Sequence, residues 1–297
     1  MRCCILSYQT TPHPRKDRQV VETPTADQEL LAALRDARED NPELAHTVDL
    51  HEEIVSARSA VEVPTPNLRV DQQEVARVLD RRVALLQHWG LEWDPARLDT
   101  LAAQICDIGA RHREELAPQF EEARTLLTGE SGDGLAIVAA YLKDGRVDLP
   151  DIAGETRELL PFVLIHSLHP FLYAHAALLT PLIQDERWYQ PRCPVCNGEP
   201  DFGYLEEEVG GLRLLCSRCD TLWTCKRGEC TFCGNSDNET FAYYLSDDEV
   251  YRLYVCDNCE RYLKVFDGRQ TSLKPLLPLQ RIITVGMDVS ARQEGYR

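Results

Sequence analysis

The sequence predicts an α+β multidomain fold. We expect an N-terminal all-α helical domain, two tandem Cys4 modules of the rubredoxin-like or zinc-ribbon type, and a C-terminal helical segment. Three observations support this. Apolar residues recur at helical spacing through most of the first two thirds of the 297-residue chain. The composition changes sharply near Trp188, and beyond it eight of the twelve cysteines form four C-x-x-C pairs.

Length and charge narrow the class of protein. The chain is long enough for about two domains of roughly 100–200 residues, and its 43% hydrophobic content is sufficient for a core. The net charge of −17 disfavours binding to phosphate backbones or anionic membranes. The first residues contain no apolar stretch long enough for an export signal. We therefore expect a cytoplasmic protein.

The helical part is predicted to follow a flexible tail over residues 1–25 and to span residues 26–187. Thr25 or Asp27 can cap the first helix, and Asn41-Pro42 separates it from the second. A third helix is expected from Asp71 to a stop at Gly90. Further helical patterns cover about residues 95–111, 114–127, 134–143 and 155–185.

The last of these patterns contains a long run without charged residues, from Leu159 to Gln184. This run is long enough to span a bilayer. It also contains three prolines and three histidines, which are costly in hydrocarbon. We therefore predict a buried central helix or helix pair. His166 and His169 lie three residues apart and share a face, where helix packing is favoured over metal binding.

The double Cys4 module is predicted over residues 188–268, and the helical C-terminal segment over 269–297, where we expect it to pack back on one of the domains. Short apolar runs between Cys, Gly and Asp residues predict strands within residues 211–215, 240–245 and 250–255.

The four cysteine pairs have the spacing of metal knuckles. Nineteen residues separate the first two pairs and 22 separate the last two, about the length of a hairpin. Sequential pairing into two separate sites is the simplest arrangement, and an interleaved one stays open. The predicted ligands are Cys193, Cys196, Cys216, Cys219, Cys230, Cys233, Cys256 and Cys259.

Local details favour knuckles over an arbitrary cysteine cluster. The residue after a knuckle's second cysteine often needs a positive φ, which suits Gly234 and the Asn at position 197. Four thiolates suit zinc and also mononuclear iron, and the sequence does not distinguish between these two metals. It also does not distinguish a purely structural role of the metal from a chemical one.

Other motifs do not assemble a catalytic site. His51-Glu52-Glu53 begins like a zinc-protease motif, but position 55 is Val rather than the second histidine. Cys193-Pro194-Val195-Cys196 looks like a redox dithiol, yet it opens a Cys-rich β-module rather than a helix. Cys225 is interpreted as a bystander. The sequence predicts no catalytic residues and no enzyme.

The chain resembles the formate dehydrogenase accessory protein (FdhE) family. Asn41-Pro42-Glu43-Leu44 and His169-Pro170-Phe171-Leu172 are similar to its helical half, and Asp288 with Gln293–Tyr296 to its C-terminal segment. Asn197 departs from the usual Gly, and Leu222 from a common acidic residue. The strongest similarity follows the order Trp188, Cys193, Cys196, Gly211, Cys216, Cys219, Thr221, Trp223, Arg227, Cys230, Cys233, Gly234, Cys256, Cys259, Tyr262, Leu263 and Lys264.

The resemblance implies a maturation factor with a rubredoxin-type iron site that contacts the catalytic subunit of a molybdenum or tungsten formate dehydrogenase. A homodimer is left open. One alternative is a zinc-ribbon nucleic-acid binder, but residues 193–266 contain 7 Lys/Arg against 14 Asp/Glu, opposite to a phosphate binder. Another alternative is a redox protein that uses the iron or a dithiol.

Overall fold

The computed structural model describes residues 26–129, 133–147, 152, 154–184, 187–207, 210–271 and 274–297, so the predicted tail over residues 1–25 lies outside the described residues. The N-terminal part is helical, as predicted. Its helices are α1 Ala26–Asp40, α2 Ala45–Ser59, α3 Gln72–Leu79, α4 Leu85–Trp89, α5 Pro95–His112, α6 Ala117–Thr128, α7 Asp133–Asp144 and α8 Gly154–Leu179.

The third predicted helix is divided in two. Asp71 caps α3 through a reciprocal pair of hydrogen bonds with Glu74, but α3 ends at Leu79 and Arg82 takes a φ of 58°. The break has a tertiary cause. The backbone N–H groups of Leu85 and Leu86, at the start of α4, donate to the carbonyls of Pro194 and Val195 at 2.8 Å. The first cysteine knuckle therefore supplies acceptors that a continuous helix would have to provide itself.

Helix α8 is one continuous helix of 26 residues despite Pro161 and Pro170 inside it. By length and composition the apolar segment Gly154–Leu182 could cross a membrane, yet 56% of its most apolar window is buried in the protein. Leu160, Leu168 and Phe171 are fully buried. This is the pattern of a core helix in a globular protein.

Six strands form a single sheet in the order β3-β2-β1-β6-β5-β4. Only β1 and β6 are parallel; the other neighbours are antiparallel. Each half of the sheet repeats the same three-stranded unit, and the first strand of one unit meets the third strand of the other. The strands are β1 Pro200–Leu205, β2 Leu212–Cys216, β3 Leu222–Cys225, β4 Phe241–Leu245, β5 Tyr251–Cys256 and β6 Arg261–Asp267.

The main core runs through both the helical part and the sheet. A contiguous cluster of buried residues contains Leu101, Ile105 and Leu164 from the helices together with Leu214 and Trp223 from the strands. The core therefore extends to both sides of the predicted boundary at residue 188. Whether the predicted boundaries delimit units that fold alone stays a prediction.

The C-terminal segment forms α9 Leu277–Ile283 and α10 Val285–Gln293, which contact both parts of the protein. Ile282 packs with Leu30 and Leu34 of α1, whereas Ala291 packs with Leu253 of β5. The prediction of packing on one domain is thus too narrow, because α9 lies between the first two helices and the sheet.

We expect Leu101→Ala to lower the free energy of unfolding by about 2–5 kcal/mol, because it leaves a cavity in the shared core. Leu135→Ala is the matched control: Leu135 is 61% exposed, so the change should stay within about 0.5 kcal/mol. Urea unfolding of the metal-loaded proteins, followed by circular dichroism, measures both. Equal effects would contradict the shared core.

Candidate metal centres

The eight cysteines of the four pairs converge into two groups of four sulfurs. The buried cluster comprises Cys193, Cys196, Cys216 and Cys219, and all four side chains are buried. The open cluster comprises Cys230, Cys233, Cys256 and Cys259, of which Cys233 is exposed. The grouping is sequential, and the interleaved arrangement is not formed.

The sulfur geometry fits a tetrahedral ion. In the buried cluster the Sγ atoms of Cys193 and Cys219 are 3.6 Å apart, and those of Cys196 and Cys216 are 3.4 Å apart. The two corresponding separations in the open cluster are both 3.7 Å. Four thiolates around zinc at about 2.3 Å stand about 3.8 Å apart. Each cluster could therefore bind a metal ion, and an all-sulfur donor set suits zinc or iron.

Each cysteine pair is presented by the same kind of turn. After the second cysteine of every pair comes a residue with positive φ: Asn197 at 59°, Asp220 at 55°, Gly234 at 73° and Glu260 at 55°. In the first, third and fourth turns the residue after the second cysteine donates its N–H to the carbonyl of the first cysteine, at 3.0, 2.8 and 2.8 Å. The sequence pattern indicated Asn197 and Gly234. It missed Asp220, although Asp, like Asn, is enriched in this conformation, and it missed Glu260, whose longer side chain carries no such signal.

A buried cation stands beside the buried cluster. Arg218 is 2% exposed, its backbone N–H points at Cys216 Sγ at 3.4 Å, and its guanidinium donates to the carbonyls of Tyr141 and Leu142. The guanidinium also lies 4.5 Å from the centre of the Tyr141 ring. A metal dication with four thiolates has a net charge of about −2, so this arginine offsets part of a charge that is taken out of water.

Close packing leaves no room for a side chain at Gly198. A Cβ atom there would lie 2.9 Å from the Sγ of Cys216 and 3.2 Å from that of Cys196. The carbonyl of Gly198 also accepts the N–H of Cys193 at 2.9 Å. This glycine is therefore part of the buried site, although it lies outside the C-x-x-C pattern.

A charged network connects the buried cluster to three elements. Asp220, next to Cys219, accepts a hydrogen bond from His169 of α8 at 2.9 Å. It also forms an ion pair with Arg281 of α9 at 3.0 Å. Burial alone would raise the pKa of Asp220, but Arg281 and His169 hold it well below its usual range. Arg281 also pairs with Asp201 of β1 at 3.1 Å. His169 thus has a positioning contact rather than a ligand role.

The thiols of the buried cluster influence one another's ionisation through their mutual hydrogen bonds. Burial raises the pKa of Cys193 and Cys219 well above their usual value. Burial opposes ionisation of Cys216 too, but hydrogen bonds from the neighbouring thiols lower its pKa well below the usual value. The metal-free site therefore holds protons that a dication must displace, so binding releases protons.

The open cluster has a different environment. Asn258 donates a side-chain N–H toward Cys233 Sγ at 3.5 Å, and Asn235 donates toward Cys256 Sγ at 3.6 Å. Burial opposes ionisation of Cys233, but hydrogen bonds from the Asn258 side chain, the Asn235 backbone N–H and the neighbouring thiols together lower its pKa to about 7. This thiol is both accessible and readily ionised.

The remaining sequence candidates do not join a metal site. His166 packs against Phe162 and His51. Cys225 is buried, and burial raises the pKa of its thiol. Within the described ranges, the two Cys4 clusters are the groups of three or more His, Cys, Asp or Glu side chains close enough to hold an ion.

A chelator should empty the two clusters at different rates. We expect the open cluster to lose its metal at least about tenfold faster, because Cys233 is exposed whereas the buried cluster is enclosed. The assay is release of metal to a chromogenic chelator at neutral pH. Cys233→Ser should abolish the fast phase and Cys196→Ser the slow phase. Release of both metals in one phase would contradict the assignment.

In the metal-free protein, Cys233 should be the first open-cluster thiol to be alkylated. At pH 7.5 a pKa of about 7 leaves about three quarters of this thiol ionised. Asn258→Ala removes a hydrogen bond to the thiolate, so the pKa should rise and alkylation should slow several-fold. Mass spectrometry after brief iodoacetamide treatment gives the rates, and Cys259 is the internal control because burial raises the pKa of its thiol. Faster alkylation of Cys259 would overturn this expectation.

Comparison with known proteins agrees with the fold. No protein-family model matches the chain. An FdhE homologue of Aquifex aeolicus is 26% identical over 258 residues, which cover 85% of this chain and 83% of that protein. FdhE of Escherichia coli is 26% identical over 182 residues, and the match spans 56% of this chain and only 57% of the E. coli protein.

A solved structure shares the architecture. The crystal structure of the FdhE protein from Pseudomonas aeruginosa matches with a TM-score of 0.53 and 18% identity, covering 93% of this chain and 94% of that one. This likeness concerns the fold, whereas the similarity to the two FdhE proteins above is one of sequence. In sequence the chain is thus similar to FdhE proteins, and in fold it is similar to one of them.

Proposed function

We propose that the protein is a non-catalytic, cytoplasmic accessory factor for formate dehydrogenase, and that it binds the catalytic subunit of that enzyme during maturation. The observation that carries the proposal is the convergence of all eight family cysteines into two four-sulfur clusters. The similarity to FdhE proteins supplies the link to formate dehydrogenase. A sheet held at both halves by metal offers a rigid surface, which loses little entropy on binding.

We propose the eight clustered cysteines as the metal ligands, with iron as the metal that the family resemblance implies and zinc as the alternative. Iron in a four-thiolate site exchanges a single electron, whereas zinc supplies no redox chemistry. The chain's own residues hold the thiolates in place. Arg218 balances charge at the buried cluster, while Asn235 and Asn258 donate to sulfurs of the open cluster.

The charge of the chain supports a protein partner with a basic surface. The net charge is −17, and the region of the clusters has twice as many acidic as basic residues. This composition disfavours the nucleic-acid-binding alternative, since a phosphate binder should be basic. We expect association with the partner to slow as salt rises.

A second candidate function is electron transfer through the open cluster. Its support is the exposure of Cys233, which brings a bound iron near the surface, whereas the buried cluster has no exposed ligand. If iron is required, a zinc-loaded protein should bind the partner yet fail to restore formate oxidation. Full restoration by the zinc form would reduce both metals to structural ions.

A deletion strain tests the main proposal. Cells without the protein should make the catalytic subunit but retain less than about a tenth of their formate oxidation, because assembly stops before the active state. Wild-type protein and Cys225→Ser, the matched control outside both clusters, should restore activity, and Cys196→Ser should not. Pull-down of the catalytic subunit measures binding. Normal formate oxidation in the deletion strain together with no binding would refute the assignment.

A further inference from the structure

Strand β4 is an open edge of the sheet. It pairs with β5 on one side, and no strand of the described chain pairs with its other side. The orientation of its backbone follows from two hydrogen bonds, from Ser246 N–H to the Tyr251 carbonyl and from Asp257 N–H to the Thr240 carbonyl. In an antiparallel pair, hydrogen-bonded residues alternate.

The even-numbered residues of β4 therefore bond to β5, and the odd-numbered ones face outward. The N–H of Phe241 is taken by the carbonyl of Asp237 at 2.8 Å. The N–H and C=O groups of Tyr243 and Leu245 point to the free edge. They form a row of donors and acceptors at the spacing that another strand requires.

The side chains at this edge are unusually exposed. Of the six large hydrophobic residues exposed in the described chain, three are consecutive in β4: Tyr243 at 48%, Tyr244 at 60% and Leu245 at 48%. The opposite edge of the sheet differs. In β3, Trp223 is 1% exposed and donates its indole N–H to the carbonyl of Gln190. The side chain of Trp223 in one edge strand is therefore buried within the protein, whereas three consecutive side chains of the other edge strand are exposed.

Acidic residues flank the open edge at both ends. Asp237 and Glu239 precede β4, Asp247, Asp248 and Glu249 follow it, and residues 234–250 contain no Lys or Arg. A second copy is therefore a poor occupant, since antiparallel pairing of β4 with itself would bring the preceding acids of each copy against the following acids of the other. Like charges placed in this way are destabilising. A segment with Lys or Arg at its ends has the complementary charge.

A cavity of about 400 Å³ borders the same strand. Its volume lies in the range of pockets that hold a ligand or a large side chain. Two arginines, Arg227 and Arg261, and one acid, Glu229, line its wall, and aromatic and aliphatic side chains form much of the rest. These are Phe232, Phe241, Tyr243, Tyr254, Leu205 and Leu263.

We propose that the outer edge of β4 binds an extended segment of a partner protein by strand addition. Main-chain hydrogen bonds to Tyr243 and Leu245 supply affinity, and an apolar or aromatic side chain beside Phe241 and Tyr243 meets the cavity. Lys or Arg residues at the ends of the segment pair with the acidic flanks. Only the identity of the partner as a formate dehydrogenase subunit rests on the proposed function.

The edge is tested by removing one outward N–H. Leu245→Pro removes a donor that faces away from β5, so the sheet keeps its own ladder. Leu245→Val is the matched control, because it keeps the N–H and the strand propensity. Circular dichroism and metal content establish that both variants fold. If the proline variant fails to fold, the double variant Glu239→Gln/Asp247→Asn replaces it. Its control is Glu39→Gln/Glu114→Gln, which removes the same number of negative charges in the helical part.

Two binding partners are used in parallel. One is the purified catalytic subunit of the formate dehydrogenase. The other is a fluorescent ten-residue peptide that alternates Thr with Val or Tyr and has two Lys residues at each end. We expect Leu245→Pro to weaken binding of the peptide and of the subunit at least tenfold and Leu245→Val less than twofold. Glu239→Gln/Asp247→Asn should weaken binding and flatten its salt dependence. Bound partner should slow amide hydrogen exchange at Tyr243 and Leu245.

The outcomes separate the two proposals. Peptide binding that depends on Leu245, without binding of the subunit, supports the edge and removes the proposed partner. Subunit binding that is equal in all variants and leaves the β4 amides unprotected overturns the edge and keeps the proposed function. No peptide binding together with no protection overturns it as well. Slow amide hydrogen exchange at Tyr243 and Leu245 in the free protein also overturns the proposal, because the edge is then covered by a second copy or by the chain itself. Sedimentation velocity distinguishes a dimer from a monomer.

Discussion

The convergence of four buried thiolates at the junction of helices and sheet is the constraint on which the surrounding structure depends. Such a group with its metal has a net charge of about −2, and burying it is costly unless the charge is offset. Arg218 offers that charge, and its guanidinium is held by the carbonyls of Tyr141 and Leu142 near the end of α7. The cluster therefore fixes a helix end that lies 76 residues earlier in the chain.

The same junction explains two irregular features. Helix α4 begins where the carbonyls of Pro194 and Val195 accept its first N–H groups. The C-terminal helix α9 is fixed by Arg281, which reaches Asp201, Asp220 and the carbonyl of Cys216. Both elements are short and would be marginal alone. Their stability comes from contacts to the two cysteine knuckles of the buried cluster, so loss of that cluster should disturb more of the protein than loss of the open one.

Local signals in the sequence were sufficient for the cluster membership and for most helices. Thiolate spacing and hairpin length are properties of short segments, so Cys193 and Cys219 could be grouped without a structure. Strands β1, β3 and β6 were missed, although the pairing of β6 with β1 joins the two halves of the sheet. That contact connects residues about 60 positions apart, which periodicity does not report. Arg218 lies between two ligands, but nothing in its neighbours indicates that its side chain is buried.

The two three-stranded units of the sheet follow each other in the same order, as if related by a translation and not by a twofold axis. Their surroundings therefore differ. A twofold arrangement would present the same strand at both edges of the sheet. Here one edge is β3, covered near Trp223, and the other is β4, which is exposed. The two clusters inherit the same asymmetry, since the buried cluster lies in the shared core while the open cluster lies beside β4. The duplicated module thus has one unit whose cysteine cluster lies in the core and one unit whose cysteine cluster, edge strand and cavity lie at the surface. A partner that recognises the outer unit meets these three features together, without disturbing the core.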